Sequence, residues 1–242
     1  MKIADPSQNS LCNEVKLVLS ELPFAGARVL ELGCGKAEKT RKLAETGRVM
    51  EIIALEVDAI QHACNLAAPT MPNVRFAHGG AEAIPSEDGY FDIVLMFKSL
   101  HHVPVAQMDQ ALREISRVLK PGGVAWISEP VYAGDFNDIL RLFHDENEVR
   151  EKAFAAICNA VASGCLASER QFFFNTRSQF DDFEQFDERM IRVTHSSHQL
   201  SPEVYQDVRE RFAAHLGPAG ATFLTPQRVD LLRKPADTTL PR

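Results

Sequence analysis

Short apolar runs alternate with amphipathic segments through the first half of the chain. The apolar runs predict strands over residues 28–32, 51–55, 74–77, 91–97 and 124–128. The intervening segments carry apolar residues at helical spacing and predict helices over residues 36–46, 59–67 and 107–119. An earlier helix is expected over residues 11–21, with Asn9 or Ser10 as its N-cap. Such alternation is typical of an α/β fold whose parallel sheet is covered by helices on both faces.

The pattern changes after the fifth predicted strand. Residues 136–164 favour helix, and residues 171–186 combine phenylalanines with acidic side chains. This second stretch is interpreted either as a small satellite core or as a lid whose aromatic side chains line a substrate pocket. The last part of the chain predicts a helix between returning strands, with strands over 190–195, 221–225 and 228–232 and the helix over 202–215.

These elements predict one α/β core that carries an insertion. The expected division is a core with its N-terminal helix over 1–130, a cap or lid over 131–189, the C-terminal part of the core sheet over 190–234, and a tail over 235–242. The parallel strands place their carboxyl ends, and therefore the ligand crevice, at one edge of the sheet.

The overall charge weighs against nucleic acid as a partner. The chain has 242 residues, a formal net charge of −7 and a pI of about 5.6. Affinity for nucleic acid depends on Lys and Arg replacing the counterions of phosphates, so an acidic chain is a poor candidate. We therefore expect a small-molecule partner, with no nucleic acid and no membrane, and a monomer or homodimer.

The cysteines indicate a reduced, cytoplasmic protein. They form no Cys-x-x-Cys pair and no His/Cys spacing typical of zinc, so no metal site is predicted. Residues 1–10 are polar, and no apolar run reaches the length of a membrane span. These observations predict neither a secretion signal nor a membrane anchor.

A glycine-containing turn follows the first predicted strand. Glu31 ends a buried run, and Gly33, Cys34 and Gly35 lead into the next helix, with Ala37 two residues later. Glycine lets the backbone approach a ligand without a Cβ in the way, and the following helix N-terminus adds a favourable dipole. By itself this turn is weak evidence, because many tight strand–helix turns contain two glycines.

Two acidic residues follow the second predicted strand. An acid at the end of that strand lies where the hydroxyls of a ribose would be, and its carboxylate can accept both hydroxyl protons. The strand pattern places Glu56 at the tip and leaves Asp58 to cap the next helix. Glu56 is therefore the favoured ribose ligand, and Asp58 is the alternative.

Several sequence blocks, taken in order, resemble one enzyme family. The blocks are Val-Leu-Glu-Leu-Gly-Cys-Gly over 29–35, Gly-Ala-Glu-Ala-Ile-Pro over 80–85, Asp-Gly-Tyr-Phe-Asp over 88–92, Ser-Leu-His-His-Val over 99–103, and the helix and Pro-Gly-Gly turn over 112–123. This ordered set resembles class I S-adenosylmethionine-dependent methyltransferases, notably the group of ubiquinone/menaquinone C-methyltransferases and small-molecule methyltransferases. The resemblance covers residues 25–130.

The resemblance implies a Rossmann-like α/β fold. Its sheet would be seven-stranded and mostly parallel, with helices on both faces and a helical and aromatic insertion after strand five. The implied cofactor is S-adenosyl-L-methionine, with S-adenosyl-L-homocysteine as product. Its ligands would be Glu31, Gly33, Cys34, Gly35 and Lys98 around the methionine part, Glu56 and Val57 around the ribose, and Gly80, Ala81 and Glu82 around the adenine.

Two positions depart from the family pattern. Ala37 replaces a third glycine, which a small side chain tolerates. Gly80 stands where the family usually has an aspartate that accepts a hydrogen bond from the adenine amino group. Gly80 has no side chain for this, so His78 or Glu82 is expected to replace it.

Candidate catalytic residues follow strands four and five. His102 is the candidate for orienting the acceptor or accepting its proton, while His101 is interpreted as structural. Glu129 binds a cationic or hydroxyl group, or else is a solvated strand end; His195 and His198 are expected to be structural or superficial.

The expected activity is methylation of oxygen, nitrogen or carbon in a small molecule. The alternatives are an RNA or protein methyltransferase, a cofactor-binding regulator without turnover, and an enzyme that uses the cofactor for other chemistry.

Overall fold

The structure, a computed structural model, describes residues 1–8, 10–192 and 199–236. In this part of the chain, eight strands form one sheet in the order β3-β2-β1-β4-β5-β8-β6, and the short β7 pairs with β8. The strands are β1 Arg28–Leu32, β2 Glu51–Glu56, β3 Val74–His78, β4 Phe91–Phe97, β5 Leu119–Pro130, β6 Ala167–Phe180, β7 Leu216–Gly217 and β8 Gly220–Arg233.

Strands β1 to β5 pair in parallel, as the sequence pattern predicts. The order reverses between β1 and β4, because β2 and β3 lie on one side of β1 and β4 and β5 on the other. A reversal of this kind opens a crevice at the carboxyl ends of the strands. The predicted Rossmann-like fold is confirmed, and its ligand crevice is expected at β1 and β4.

Helices cover both faces of this sheet. The helices are α1 Glu14–Glu21, α2 Glu38–Ala44, α3 Ala59–Ala67, α4 Met108–Val118, α5 Asp135–Leu140, α6 Asn147–Ala162, α7 Phe183–Phe186 and α8 Pro202–Ala213. Side chains of α1 and α2 pack with one face of the strands, and those of α4 and α6 pack with the other. Leu112, Ile115 and Val118 of α4 are fully buried, which explains why its helical spacing is clear in the sequence. Within the described residues, every helix is too short or too polar to span a bilayer.

The first helix begins later than expected. Asn13 caps α1 by accepting a hydrogen bond from the backbone N–H of Lys16 at 3.1 Å, so Ser10 is not the cap. The other predicted cap, Asn9, lies outside the described residues. The chain before the helix instead pairs with β6, because Cys12 N–H donates to Asn175 O and Asn175 N–H donates to Ser10 O. Leu11, predicted on the apolar face of the helix, is 53% exposed.

The phenylalanine-rich segment differs most from the prediction. Ala167–Phe180 is a strand that pairs antiparallel with β8, so this part of the expected cap or lid lies in the main sheet. Phe172 and Phe174 pack against the same cluster as Trp126, because alternate residues of β6 face the core. The sequence hides this alternation, since Phe173 adds an apolar residue on the opposite face.

The two strands predicted over 221–225 and 228–232 form one strand. Pro226 interrupts the sequence pattern, yet β8 runs through it. A proline is tolerated at this point of the strand because β5 ends at Pro130, opposite Gln227, whereas β6 continues beside Pro226.

The remaining aromatic side chains form a satellite core. Phe136, Phe180, Phe186, Phe212 and Phe223 lie with ring centroids 5.0 to 6.4 Å apart among the elements α5, α7, α8 and the ends of β6 and β8. Residues 190–191, predicted as strand, belong to the helical turn Asp187–Ile191. Residues 193–195 of that predicted strand lie outside the described residues, as do His198 and most of the predicted tail.

Candidate active site

The turn after β1 passes close to the loop after β4. Gly33 has a φ of 70°, and a Cβ added there would lie 2.7 Å from the Cβ of Ser99. Its N–H donates to Leu55 O at 3.0 Å, which fixes the turn against β2. Gly35 has a φ of 51°. Glycine is favoured at Gly33 by both the backbone conformation and the close approach to Ser99, and at Gly35 by the backbone conformation alone.

The carboxylate of Glu56 holds this turn against the end of β2. It is buried, and it accepts hydrogen bonds from the backbone N–H groups of Gly35 at 2.7 Å and of Val57 and Asp58 at 2.9 Å. Asp58 caps α3 by accepting from Ile60 N–H at 2.8 Å. The predicted register is confirmed: Glu56 ends the strand, and Asp58 begins the helix.

A second buried acid lies beneath the turn. Glu31 is 2% exposed and accepts a hydrogen bond from the hydroxyl of Thr40 at 2.7 Å. Burial raises the pKa of Glu31 to about 7. Nearby, Lys39 pairs with Glu14 of α1 at 2.9 Å. Burial also raises the pKa of the Cys34 thiol, so this side chain stays neutral at physiological pH.

The loop after β3 places Glu82 over Gly80. A Cβ added to Gly80 would overlap both carboxylate oxygens of Glu82, so this carboxylate occupies the position next to the missing side chain. His78 instead contacts Val57, with its Nε2 3.1 Å from the Val57 carbonyl oxygen. Val57 is 59% exposed beside the tip of β2 and Ala81 is buried.

Lys98 follows β4 with an unusual backbone conformation. Its φ is 60°, which is rare outside glycine, and its N–H donates to Ser128 O at 2.7 Å. Its half-buried ammonium makes no ion pair with any described residue. Removal from water lowers the pKa of Lys98. Strain and a desolvated charge at a crevice are features of functional positions.

His101 is held between two carboxylates. Its Nδ1 bonds to Glu129 Oε2, and its Nε2 lies 3.5 Å from Glu146 Oε1. Burial alone would lower the pKa of His101, but the two carboxylates outweigh it and raise the pKa to about 9. His101 is thus a cation at neutral pH, which supports its structural interpretation. His102 is exposed, and its ring centroid lies 4.1 Å from that of His101.

Glu129 is not a solvated strand end. It is 1% exposed, and its second oxygen accepts a hydrogen bond from Leu100 N–H at 2.9 Å. Sequence reasoning missed Glu146, whose carboxylate also contacts Arg150 and His144. It missed Glu14 as well. Both acids lie in polar stretches that look like ordinary helix surface, so no local signal marks them.

Comparison with known proteins agrees with the sequence blocks. The methyltransferase-domain family matches residues 29–123. An uncharacterized methyltransferase of Synechocystis is 34% identical over 99 residues, which are 41% of this chain and 45% of the relative. A 27-O-demethylrifamycin SV methyltransferase of Amycolatopsis mediterranei is 34% identical over 102 residues, 41% of this chain and 37% of the relative. A demethylmenaquinone methyltransferase of Staphylococcus saprophyticus is 32% identical over 112 residues, 45% of this chain and 47% of the relative.

Solved structures extend the likeness of the fold beyond the matched domain. The YcgJ protein of Bacillus subtilis superposes with a TM-score of 0.65 at 20% identity, covering 91% of this chain and 97% of that protein. The [4+2]-cyclase SpnF superposes with a TM-score of 0.60 at 21% identity, covering 92% and 80%. The chain spans less than half the length of the curated relatives that it matches. Residues 29–123 thus match the methyltransferase-domain family, and the fold of the described residues is similar to that of solved S-adenosylmethionine-dependent methyltransferases.

Proposed function

We propose that this chain transfers a methyl group from S-adenosyl-L-methionine to a small-molecule acceptor. The observation that carries the proposal is the cradle formed at the ends of β1 and β2, where a turn without Cβ atoms at Gly33 and Gly35 is held by the carboxylate of Glu56. A backbone that can approach a ligand, beside a buried acid, suits a nucleoside with a charged extension.

The residues of the crevice fit the parts of this cofactor in sequence. Glu31 and Lys98 offer an acid and an ammonium to the amino and carboxylate groups of the methionine part, with Cys34 beside them. Glu56 and Val57 offer a carboxylate and an apolar surface to the ribose. Gly80, Ala81 and Glu82 flank the adenine, with the Glu82 carboxylate as hydrogen-bond acceptor. This assignment rests on their positions at the strand ends.

The bound cofactor supplies an electrophilic methyl group on a sulfonium centre. The chain's own task is to position the acceptor, exclude water and, for a hydroxyl acceptor, provide a proton acceptor. His102 is the residue for this task, because it is exposed at the end of β4 and its neighbour His101 is already protonated. Histidine is the side chain that most often accepts a proton in enzyme reactions near neutral pH.

A small acceptor is supported by charge and by the relatives. The net charge of −7 opposes binding of RNA or DNA backbones. The relatives include enzymes that are named for methylating a rifamycin and a menaquinone precursor. We expect an acceptor with apolar or aromatic character, since ligand pockets are mostly apolar with a few polar groups.

The test is product analysis. The purified chain should bind S-adenosylhomocysteine in calorimetry with one site per chain, and should form S-adenosylhomocysteine from the cofactor when a metabolite extract is present. Mass spectrometry should find an acceptor that is 14 mass units heavier, the mass of one added CH₂. Binding without any S-adenosylhomocysteine formation would favour other chemistry on this fold, which also occurs in the [4+2]-cyclase. Absence of binding would refute the proposal.

A further inference from the structure

Three ligand-type side chains converge beside the proposed methyl-transfer site. His101 and His102 come from the helical turn Leu100–His102 after β4, and Glu146 comes from the residue before α6. Each offers one ligand atom, and these atoms lie within 4.8 Å of one another. The sequence spacing does not predict this group, because Glu146 lies far along the chain from the two histidines.

The group has the supporting contacts of a metal centre. Glu129 binds Nδ1 of His101 and so directs Nε2 of His101 towards Glu146. Arg150 binds the far oxygen of Glu146, so Oε1 lies on the side of His101, where it also contacts Nε2 of His144 at 2.9 Å. Carboxylate–histidine contacts of this kind orient the ligands of protein-bound metals. Both buried partners therefore have a fixed direction before any ion arrives, and binding of the ion would release to solvent the Nε2 proton that His101 otherwise carries.

The separation of the ligand atoms also fits an ion. Nε2 of His101 and Oε1 of Glu146 are 3.5 Å apart, which is long for a hydrogen bond between charged groups. Two ligand atoms bound to one tetrahedral Zn²⁺ are about 3.3 Å apart, given bonds of roughly 2.0 Å. A small adjustment of the Glu146 side chain would bring the pair to that distance.

We propose that His101, His102 and Glu146 bind one divalent transition-metal ion of the Zn²⁺ type. Two imidazoles and one carboxylate suit such ions, and three protein ligands leave an open position for water or for a donor atom of a ligand. The metal site does not depend on the proposed function. Its use, to hold an oxygen or nitrogen of the acceptor, rests on the proposed function. With the ion bound, His102 would position the acceptor through the ion instead of accepting its proton.

The competing interpretation is a self-contained ion network. In it His101 bridges Glu129 and Glu146, and His144 donates to Glu146 at 2.9 Å, with no role for an ion. The two interpretations differ in what Glu146 and His102 bind, and this difference can be measured without cofactor or acceptor.

The experiment uses the full chain after treatment with a chelator. Zn²⁺ is titrated in calorimetry, and Co²⁺ is titrated with visible absorption as the readout. We expect one ion per chain. His102→Ala, a change at an exposed position, should weaken metal binding by about 100-fold or more. Loss of a residue that only supports a metal ligand already lowers affinity by about 10- to 100-fold, and this change removes a ligand itself. The matched control is His62→Ala, which removes a histidine of α3 that lies outside the group; it should change affinity by less than about threefold.

Three results would overturn the proposal: no binding of either ion by the folded wild-type chain, equal weakening in the two variants, or no weakening in His102→Ala. Circular dichroism of each variant establishes that it is folded. A chain that binds the ion but transfers no methyl group would leave the metal site standing and refute only the proposed function.

Discussion

At the scale of single residues, the register of β2 separates the roles of two nearby acids, Glu56 and Asp58. The period of the apolar run places Glu56 at the strand tip and Asp58 at the helix cap, and the structure has both there. Their partners differ, since Glu56 binds the glycine turn whereas Asp58 binds only its own helix. Substitutions at the two positions should therefore have separable effects.

Glu56→Ala should weaken binding of S-adenosylhomocysteine by about 1–3 kcal/mol, because hydroxyl groups of the ribose would lose a buried acceptor. Asp58→Ala should leave affinity nearly unchanged and cost about 1 kcal/mol of stability through the lost cap. Calorimetry measures the first effect and thermal unfolding the second. A larger loss of affinity in Asp58→Ala would show that Asp58 is the ribose ligand.

Cofactor binding should depend on the protonation of Glu31. The pKa of this carboxyl is raised from 4.5 to about 7, so the folded chain without cofactor keeps the proton until pH rises through about 7. Only the carboxylate can pair with the ammonium of the methionine part. Affinity for S-adenosylhomocysteine should therefore increase between pH 6 and pH 8. Below the pKa of Glu31 the increase is at most about tenfold per pH unit, and above the pKa the affinity becomes constant.

The control for this pH dependence is Glu31→Gln, which keeps the hydrogen bond to Thr40 within reach but cannot ionise. Its affinity should be lower at pH 8 than that of the wild type and should vary much less with pH. If the variant and the wild type have the same pH profile, another group controls binding.

Glu82 should carry the adenine contact that Gly80 lacks. Glu82→Ala should weaken cofactor binding by about 1–2 kcal/mol, the cost of an unmet polar group. The φ of Gly80 is not in the left-handed region, so an aspartate is tolerated there once Glu82 no longer occupies the space. Gly80→Asp added to Glu82→Ala should restore most of the affinity. Full affinity of Glu82→Ala alone would assign the contact elsewhere.

At the scale of elements, the sequence predicted those helices and strands whose burial is visible within the segment itself. Helices α4 and α8 each bury one stripe, and strands β1, β2 and β4 are buried along almost their whole length, so their apolar patterns are clear in the sequence. Strand β6 was missed because three consecutive phenylalanines hide its period and because its partner β8 is distant in sequence. The charge cluster of His101, Glu129 and Glu146 was missed for the same reason, since only the tertiary fold brings its members together.

The position of β6 changes what is expected of residues 131–189. A lid over the whole segment is incompatible with a strand that is hydrogen-bonded along its length to β8. Backbone amides of β6 should exchange slowly with and without ligand. Any protection by ligand should be confined to α6, which begins at the crevice with Glu146 and Arg150, and to α5, whose Asn137 accepts a hydrogen bond from Arg150. Hydrogen exchange with and without S-adenosylhomocysteine measures this; strong ligand-dependent protection within β6 would contradict it.

At the scale of the whole molecule, the sequence predicted the parallel sheet and the glycine turn after β1, both of which depend on contacts between neighbouring elements. It predicted β8 as two returning strands, but it did not predict β6, the strand at the edge of the sheet. The antiparallel part is built from segments far apart in the chain, and the segment before α1 adds to it by pairing with Asn175. Such pairings leave only weak marks in any one segment.

The strand order has a consequence for the folding of the chain during its synthesis. In the finished sheet β8 lies between β5 and β6, although β6 precedes β8 in the chain. During synthesis, therefore, β6 emerges before the strand that separates it from β5 exists. Until β8 has been synthesised, the phenylalanines of β6 lack their native partner strand, and β6 can form a non-native pair with β5. The time between these two events is when a nascent chain of this kind is most exposed to aggregation and most in need of a chaperone.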